Sequence, residues 1–391
     1  MVALSQFETS LVRGPLEALR DMLPADHAQA ILVGRVQTAA GPSPVILRDG
    51  QVIDVSATAP TVADLLERDD IATLNGEVLC SVDALGTDSA PAILAPVDLQ
   101  CVKACGVTFA VSALERVIEE RARGDSAKAA EIRGDLEAKV GSGIRSVVPG
   151  TPEAASLKAA LIDAGMWSQY LEVAIGPDAE VFTKAPVLSS MGWGAEIGIR
   201  SDSDWNNPEP EIVLAVDRNG QIKGAALGND VNLRDFEGRS ALLLGKAKDN
   251  NASTSIGPFI RLFDDNFTMD DVRSAVVDLT IDGPEGYRLS GTNKMSEISR
   301  DPTDLVRQTL SEHQYPDGFA LFLGTLFAPV QDRDHPGRGF THKPGDVVRI
   351  STPKLGTLVN RVTTSKAAAP WTFGIRDLMR NLAARGLLSN A

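Results

Sequence analysis

The sequence predicts an α/β protein of the β-rich, α+β kind, with a smaller amino-terminal α/β domain over residues 1–100 and a larger domain over 101–391. Hairpin signals outnumber strand–helix–strand units, which argues against a doubly wound parallel sheet. A length of 391 residues exceeds what one simple core accommodates. Around GTDSAPAILAPVDLQ, residues 86–100, the composition turns to small residues and proline, and the boundary is placed there.

A helix is expected over Ser5–Met22. ILVGRV (Ile31–Val36) reads as a strand, and PVILRDGQVIDVS (Pro44–Ser56) as a hairpin turning at Asp49-Gly50. TVADLLERDD follows as a short helix. In the second domain, CGVTFAVSALERVIEERARGD opens helical patterns that continue to about Gly165. From Glu172 onward the chain reads mostly as strands: VAIGPDAEVF, EIVLAVDRNGQIKGAALGND, AVVDLTIDG and VVRISTPKLGTLVNRV. Helices are expected at Asp301–His313 and near Ile375–Arg385.

Hydrophobic content of 43% and charged content of 23% are ordinary for a soluble globular chain. The net charge of −14 argues against nucleic acid and anionic membranes as partners. No run of about 18 apolar residues exists to span a membrane. The first residues, MVALSQFETSLVRGPLEALRDMLP, carry acidic groups and no continuous apolar core, so they do not read as a signal peptide. Cys80, Cys101 and Cys105 make no disulfide framework or zinc motif and read as small buried hydrophobes, which suits a cytoplasmic protein.

Familiar catalytic motifs are missing. There is no GxSxG elbow and no phosphate-binding GxxxxGK[ST] loop. GWGAEIG (Gly192–Gly198) has the wrong spacing for a dinucleotide loop. His27, His313, His335 and His342 are scattered, which gives zinc ligation or a Ser/His relay little to work with. The chemistry is left to carboxylates, a lysine and a hard metal.

The stretch WNNPEPEIVLAV places Glu209 and Glu211 one residue apart at the head of an apolar strand, so both side chains share a face and repel. Downstream, Asn219-Gly220 is a strong two-residue hairpin signal. If those residues form the loop and no bulge intervenes, Arg218 pairs with Gln221 and paired numbers sum to 439. Glu209 then faces Asp230, and Glu211 faces Gly228. Three carboxylates converge within about 4.5–8 Å, the reach of direct and diagonal cross-strand neighbours. A cation among their oxygens relieves the repulsion, and hard oxygen ligands suit Mg²⁺, Mn²⁺ or Ca²⁺. The alternative is a solvated acidic strand end.

FTKAP (Phe182–Pro186), EPEIVLAV, GNDVNLRD (Gly228–Asp235), a lysine ten residues before Pro258, GTLFAP (Gly324–Pro329) and KPGDVVRI…LGTLVNRV (Lys343–Val362) together resemble the fumarylacetoacetate hydrolase family, in order from about Gly106 to Val362. The resemblance implies a mixed β-sandwich roll with a smaller amino-terminal domain, commonly as a homodimer. It also implies that Glu209, Glu211 and Asp230 bind Mg²⁺ or Mn²⁺. It places the family's lysine at Lys248 and its substrate-carboxylate threonine at Thr325. The plainer alternatives are a surface lysine and a turn-stabilising hydroxyl. Asn251 and Ala252 stand where the family often has Asp and Thr, which puts an acid role at Asn251 in doubt.

A further departure is informative. The family's carbon–carbon hydrolases carry a segment like NYxxHxxE; here TFAVSALE offers Thr108, Ser112 and Glu115, with serine replacing the histidine. Serine cannot replace imidazole as a base for water. Ser112-x-x-Glu115 also fits a capping box, the preferred reading for Ser112, whereas Glu115 is favoured as a catalytic base.

The combination is similar to the family's 2-keto-3-deoxy-sugar-acid dehydratases, which convert 2-keto-3-deoxy-D-pentonates to 2,5-dioxopentanoate. The resemblance then implies that metal and Lys248 stabilise an enolate once Glu115 takes the C3 proton. The C4 hydroxyl leaves as water, protonated by Glu115 or a bound water. Ser112, Thr108, Asn251 and Thr325 are candidate substrate contacts. The competing readings are a hydrolase or decarboxylase of 2,4-diketo or acylpyruvate-type acids, and a silent metal or sugar-acid binding protein.

Overall fold

The computed structural model describes residues 23–388 apart from 88–89, 124, 126, 130–131, 133–146, 164, 166, 328, 330 and 337–338, and without the side chains of 110–112 and 114. The helix expected over Ser5–Met22 lies outside these residues. In chain order the strands are β1 (Leu32–Thr38), β2 (Gly41–Arg48), β3 (Gln51–Asp54), β4 (Glu77–Ser81), β5 (Ala92–Leu94) and β6 (Cys101–Gly106). There follow β7 (Glu180–Ala185), β8 (Glu196–Ile199), β9 (Asn206–Asn207), β10 (Pro210–Val216), β11 (Ile222–Asp230) and β12 (Asn232–Leu233). The last are β13 (Thr254–Leu262), β14 (Val276–Asp282), β15 (Arg288–Lys294), β16 (Phe319–Phe322), β17 (Val347–Thr352) and β18 (Gly356–Thr364).

Two mixed sheets make the body of the fold. The larger runs β4-β3-β2-β1-β13-β11-β10-β16-β6-β7, with β5 on β1, and the smaller runs β15-β14-β17-β18-β8. Only β16–β6 and β18–β8 pair in parallel; the other strand pairs in these sheets are antiparallel. Strand alternation divides β10 between two cores. Ile212, Leu214 and Val216 point between the sheets, where Leu279, Ile350 and Leu358 meet them. Val213 and Ala215 point the other way, into a cluster with Phe322 and the short helix Val62–Leu66. Glu209 and Glu211 share the parity of that second face. A third cluster joins helices Ala110–Ala122, Pro152–Asp163 and Gln169–Ile175 around Trp205.

The amino-terminal strands belong to the larger sheet, because β1 pairs with β13 through Leu32↔Arg261 and Val33↔Ile260. Asp49 and Gly50 form the expected β2–β3 turn with φ of 52° and 72°. Thr61 caps Val62–Leu66 in a capping box with Asp64. Helices Pro302–Leu310 and Ile375–Ala384 lie within the spans expected for them.

Two local expectations are corrected. VAIGPDAEVF does not begin a strand at Glu172. That residue belongs to the helix Gln169–Ile175, which Ser168 caps by accepting from the Tyr170 N–H at 3.1 Å. Tyr170, Leu171, Ala174 and Ile175 are buried at helical spacing there, and the strand starts only at Glu180. Ser112 is not a helix cap either: the helix starts at Ala110 with Phe109 at the cap position, so Ser112 sits inside the first turn.

Candidate metal centre and active site

The register that builds the site comes about differently from the expectation. The β10–β11 loop has three residues, not two: Asp217 pairs with Gln221, its N–H donating to the Gln221 carbonyl at 2.9 Å, and Gly220 takes φ of 79°. Val216 pairs with Ile222, a sum of 438, but a bulge follows and Ala215 pairs with Gly224. The extra residue in the ladder offsets the longer loop. Beyond the bulge the sum is 439, giving Glu211↔Gly228 and Pro210↔Asn229, and the Asp230 N–H donates to the Glu209 carbonyl at 3.1 Å.

Glu209, Glu211 and Asp230 therefore converge. All three are buried, and each offers an oxygen within 4.8 Å of the other two. No other group of three or more metal-ligating side chains occurs among the described residues. Gly228 leaves room on this face, but the Phe322 ring and Val213 use it: a Cβ there would lie 2.3 Å and 2.5 Å from them.

Cations surround the triad. Lys248 Nζ lies 2.6 Å from Glu209 Oε2 and 3.1 Å from Asp230 Oδ2. Lys184 Nζ, with no exposed side-chain surface, lies 2.9 Å from Asp230 Oδ1 and also donates to the Lys248 carbonyl. Arg116 Nη2 donates to Glu209 Oε1 at 2.9 Å, and the Gly324 N–H donates to Glu211 Oε2 at 2.6 Å. Burial, then the charges of Asp230 and Glu209, pushes the Glu211 carboxyl well above its ordinary range. Burial acts the same way on Asp230, but Lys184 and Lys248 outweigh it and hold that carboxyl low.

The triad lines a cavity together with Glu115, Arg116 and Glu119 of the helix Ala110–Ala122. Glu115 lines it, 3.4 Å from Arg234 Nη2. One turn on, Glu119 is buried between Arg234 Nε at 2.7 Å and Arg116 Nη1 at 2.9 Å. Arg234 stacks on Trp205, and Arg116 also binds Glu237. Glu180, at the start of β7, lines the cavity; its carboxyl makes no hydrogen bond or ion pair among the described residues, and burial raises it. No histidine lines the cavity among the described residues.

Of the residues singled out from sequence, the structure gathers Glu209, Glu211, Asp230, Lys248, Glu115 and Thr325 here. Thr325 Oγ1 accepts from the Phe327 N–H at 3.1 Å, so it supports its turn as well as lining the wall. Thr108 and Asn251 are not brought to the cavity. Thr108 Oγ1 donates to the Leu323 carbonyl at 2.6 Å, and the Asn251 amide holds the Ser365 and Ala369 carbonyls at 3.2 Å and 3.1 Å. The Ser112 side chain lies outside the described residues. Arg116, Glu119, Glu180, Arg234 and Glu237 were missed. The one available hint was the i, i+3 spacing of Arg116 and Glu119 on a helix face.

The donor set fits a hard divalent ion, being three buried carboxylates with neither sulfur nor imidazole. Over 202 residues the chain is 32% identical to a probable 2-keto-3-deoxyxylonate dehydratase of Haloferax volcanii, covering 52% of this chain and 66% of that protein. Over 186 residues it is 30% identical to a 2-dehydro-3-deoxy-D-arabinonate dehydratase of Saccharolobus solfataricus, covering 47% and 58%. The chain thus spans somewhat less than two thirds of the length of either relative. The fold matches a 2-keto-3-deoxy-D-arabinonate dehydratase in its apo form, with a TM-score of 0.62 and 22% identity over 85% of this chain and 99% of that one. A second structure of that dehydratase, complexed with magnesium and 2,5-dioxopentanoate, matches with the same TM-score at 20% identity and the same coverage. The family model for the fumarylacetoacetate hydrolase carboxy-terminal region matches residues 155–363, more than half of the chain, and encloses the triad, both lysines and Thr325. With its β-sandwich roll and its carboxylates in one register, the chain belongs to the fumarylacetoacetate hydrolase family.

Proposed function

We propose that this chain is a hydro-lyase that dehydrates a 2-keto-3-deoxy sugar acid, taking a 2-keto-3-deoxy-D-pentonate to 2,5-dioxopentanoate and water. One observation carries the reading: a buried carboxylate triad shares its cavity with further carboxylates and, among the described residues, with no histidine, which suits proton abstraction from carbon better than activation of water for hydrolysis. The names of the two relatives support the same substrate class.

Glu209, Glu211 and Asp230 are the proposed ligands of Mg²⁺, with Mn²⁺ as the alternative. Such an ion supplies Lewis acidity that polarises the 2-keto group and acidifies C3. Lys248 faces the same space and stabilises negative charge as it builds on the keto oxygen. Glu115 removes the C3 proton. Glu180, a carboxyl that burial keeps protonated to higher pH, gives its proton to the departing C4 hydroxyl. A C3–C4 double bond results; loss of a proton from C5 with protonation at C3 moves that bond to C4–C5, and the resulting enol takes a proton at C4 as its C5 hydroxyl gives one up, leaving the aldehyde. Thr325, which lines the same cavity, holds the substrate carboxylate. A homodimer in a reducing cytoplasm completes the proposal; free Cys80, Cys101 and Cys105 suit that setting.

The test is incubation with Mg²⁺ and 2-keto-3-deoxy-D-pentonate, scored for semialdehyde. Its formation, lost on chelation, is the expected result. Pyruvate released from an acylpyruvate, with no semialdehyde from the sugar acid, would overturn the proposal in favour of the hydrolase reading.

A further inference from the structure

The oxygens of Glu209 and Asp230 that Lys248 holds are also oxygens on which the proposed metal would draw. Lys248 Nζ sits 2.6 Å from one and 3.1 Å from the other. Their remaining oxygens are engaged elsewhere, Glu209 Oε1 by Arg116 and Asp230 Oδ1 by Lys184. A divalent ion bound to the triad therefore shares two carboxylates with a buried ammonium, and like charges a few ångström apart repel strongly where water is scarce.

A third carboxylate stands ready beside that ammonium. Glu237 Oε1 lies 3.6 Å from Lys248 Nζ, within ion-pair reach but too far for a hydrogen bond. That oxygen is buried and has no hydrogen-bond partner among the described residues, an arrangement that is costly to leave unsatisfied. Its sister oxygen, Oε2, is held by Arg116, which fixes the carboxylate in place. Glu237 closes the short helix Arg234–Glu237, and Lys248 closes the helix Leu244–Lys248 packed against it, so a small change in the lysine side chain bridges the gap.

We infer that Glu237 is a positioning residue: when a divalent cation enters the triad, Lys248 gives up Glu209 and Asp230 and is received by Glu237 Oε1. The lysine then stands beside the metal, where it faces substrate, rather than among the ligands. This rests on the metal reading of the triad proposed above and adds to it a defined path for the lysine. Glu237 acts through Lys248 and touches no reacting atom.

The experiment is a double-mutant cycle on metal affinity, measured by calorimetric titration of the apo protein with Mn²⁺ and with Mg²⁺. Lys248→Met should tighten binding, since the competing cation is gone. Glu237→Gln should weaken it about tenfold, because the displaced lysine loses its charged acceptor. In the Lys248→Met background the same Glu237→Gln change should matter by no more than about twofold. A merely structural role for Glu237, or a through-space effect of its charge, would weaken binding equally in both backgrounds and overturns the inference. So does Lys248→Met binding no tighter than wild type, a result that stands even if Glu237→Gln fails to fold. A wild-type protein that binds neither ion overturns the metal reading itself and the inference with it, whereas wild-type binding left unchanged by Glu237→Gln overturns the inference alone.

Discussion

Replacing Lys184 by methionine keeps most of the side chain's volume and removes one buried positive charge. In the wild type the Asp230 carboxylate has two ammonium partners, Lys184 at 2.9 Å and Lys248 at 3.1 Å. Removing one member of a buried pair costs about 3–5 kcal/mol, because the other charge is left uncompensated. The surviving contact from Lys248 puts the variant at the low end, about 3 kcal/mol. Loss of the hydrogen bond to the Lys248 carbonyl adds little, since Ser253 Oγ also donates there, at 2.8 Å. For a large domain about 2 °C of melting temperature corresponds to each kcal/mol, so the metal-free variant should melt about 6 °C below wild type. A divalent ion replaces part of the missing charge and should bind the variant more tightly. Saturating Mg²⁺ adds RT ln(1 + [L]/Kd), about 2.7 kcal/mol at a hundredfold excess over Kd, so the gap between variant and wild type should narrow when both are loaded. Melting followed by circular dichroism with EDTA and with Mg²⁺ makes the measurement. A loss below about 1 kcal/mol, or the same gap in both buffers, would refute the view that Lys184 balances the triad.

Glu115→Gln should abolish exchange of the substrate's C3 proton with deuterated solvent, whereas Glu180→Gln should retain exchange and lose about 10²–10⁴ of dehydration; exchange surviving in the first variant would remove Glu115 from the role of base. Asp346, buried with Arg333 and His342, has its carboxyl lowered from 3.8 to about 2, where burial is outweighed by those two partners. Its stabilisation is fully present above the unfolded value and is lost as pH falls through about 2. Asp346→Asn should therefore lower stability by about 2 kcal/mol near neutrality and flatten the acid limb of unfolding between pH 4 and 2, and an unaltered acid limb would count against the assignment. Gly228→Ala sets a methyl 2.3 Å from the Phe322 ring and should cost about 1–3 kcal/mol in urea unfolding, while a neutral result would mean that Phe322 is free to turn aside.

The parts of the site legible in the sequence were those set by local periodicity. Glu209, Glu211 and Asp230 could be aligned because strand alternation and one hairpin relate them. Even so, the loop-length error and the unforeseen bulge cancelled, so the alignment came out right through a pairing that was wrong at the tip. The ion-pair web was not legible, because Arg116, Glu119, Arg234 and Glu237 come from segments more than a hundred residues apart, and nothing local shows that a charged residue will be buried beside its partner. Ser112 was misplaced because its spacing to Glu115 also fits a capping box, whereas the helix begins two residues earlier, at Ala110. Glu172 was misread because a short buried helix and a buried strand look alike over seven residues.

The bulge between Ala215 and Val216 gives this hairpin room to vary without moving the carboxylates. A turn shortened by one residue, or loss of the bulged Lys223, leaves Ala215 opposite Gly224 and Asp230 beside Glu209. A residue inserted or deleted between Gly224 and Asp230, past the bulge, instead turns Asp230 to the opposite face of β11. Among related sequences, length changes in this hairpin should therefore fall between Asp217 and Lys223, and that stretch is where a different turn can be grafted onto this scaffold.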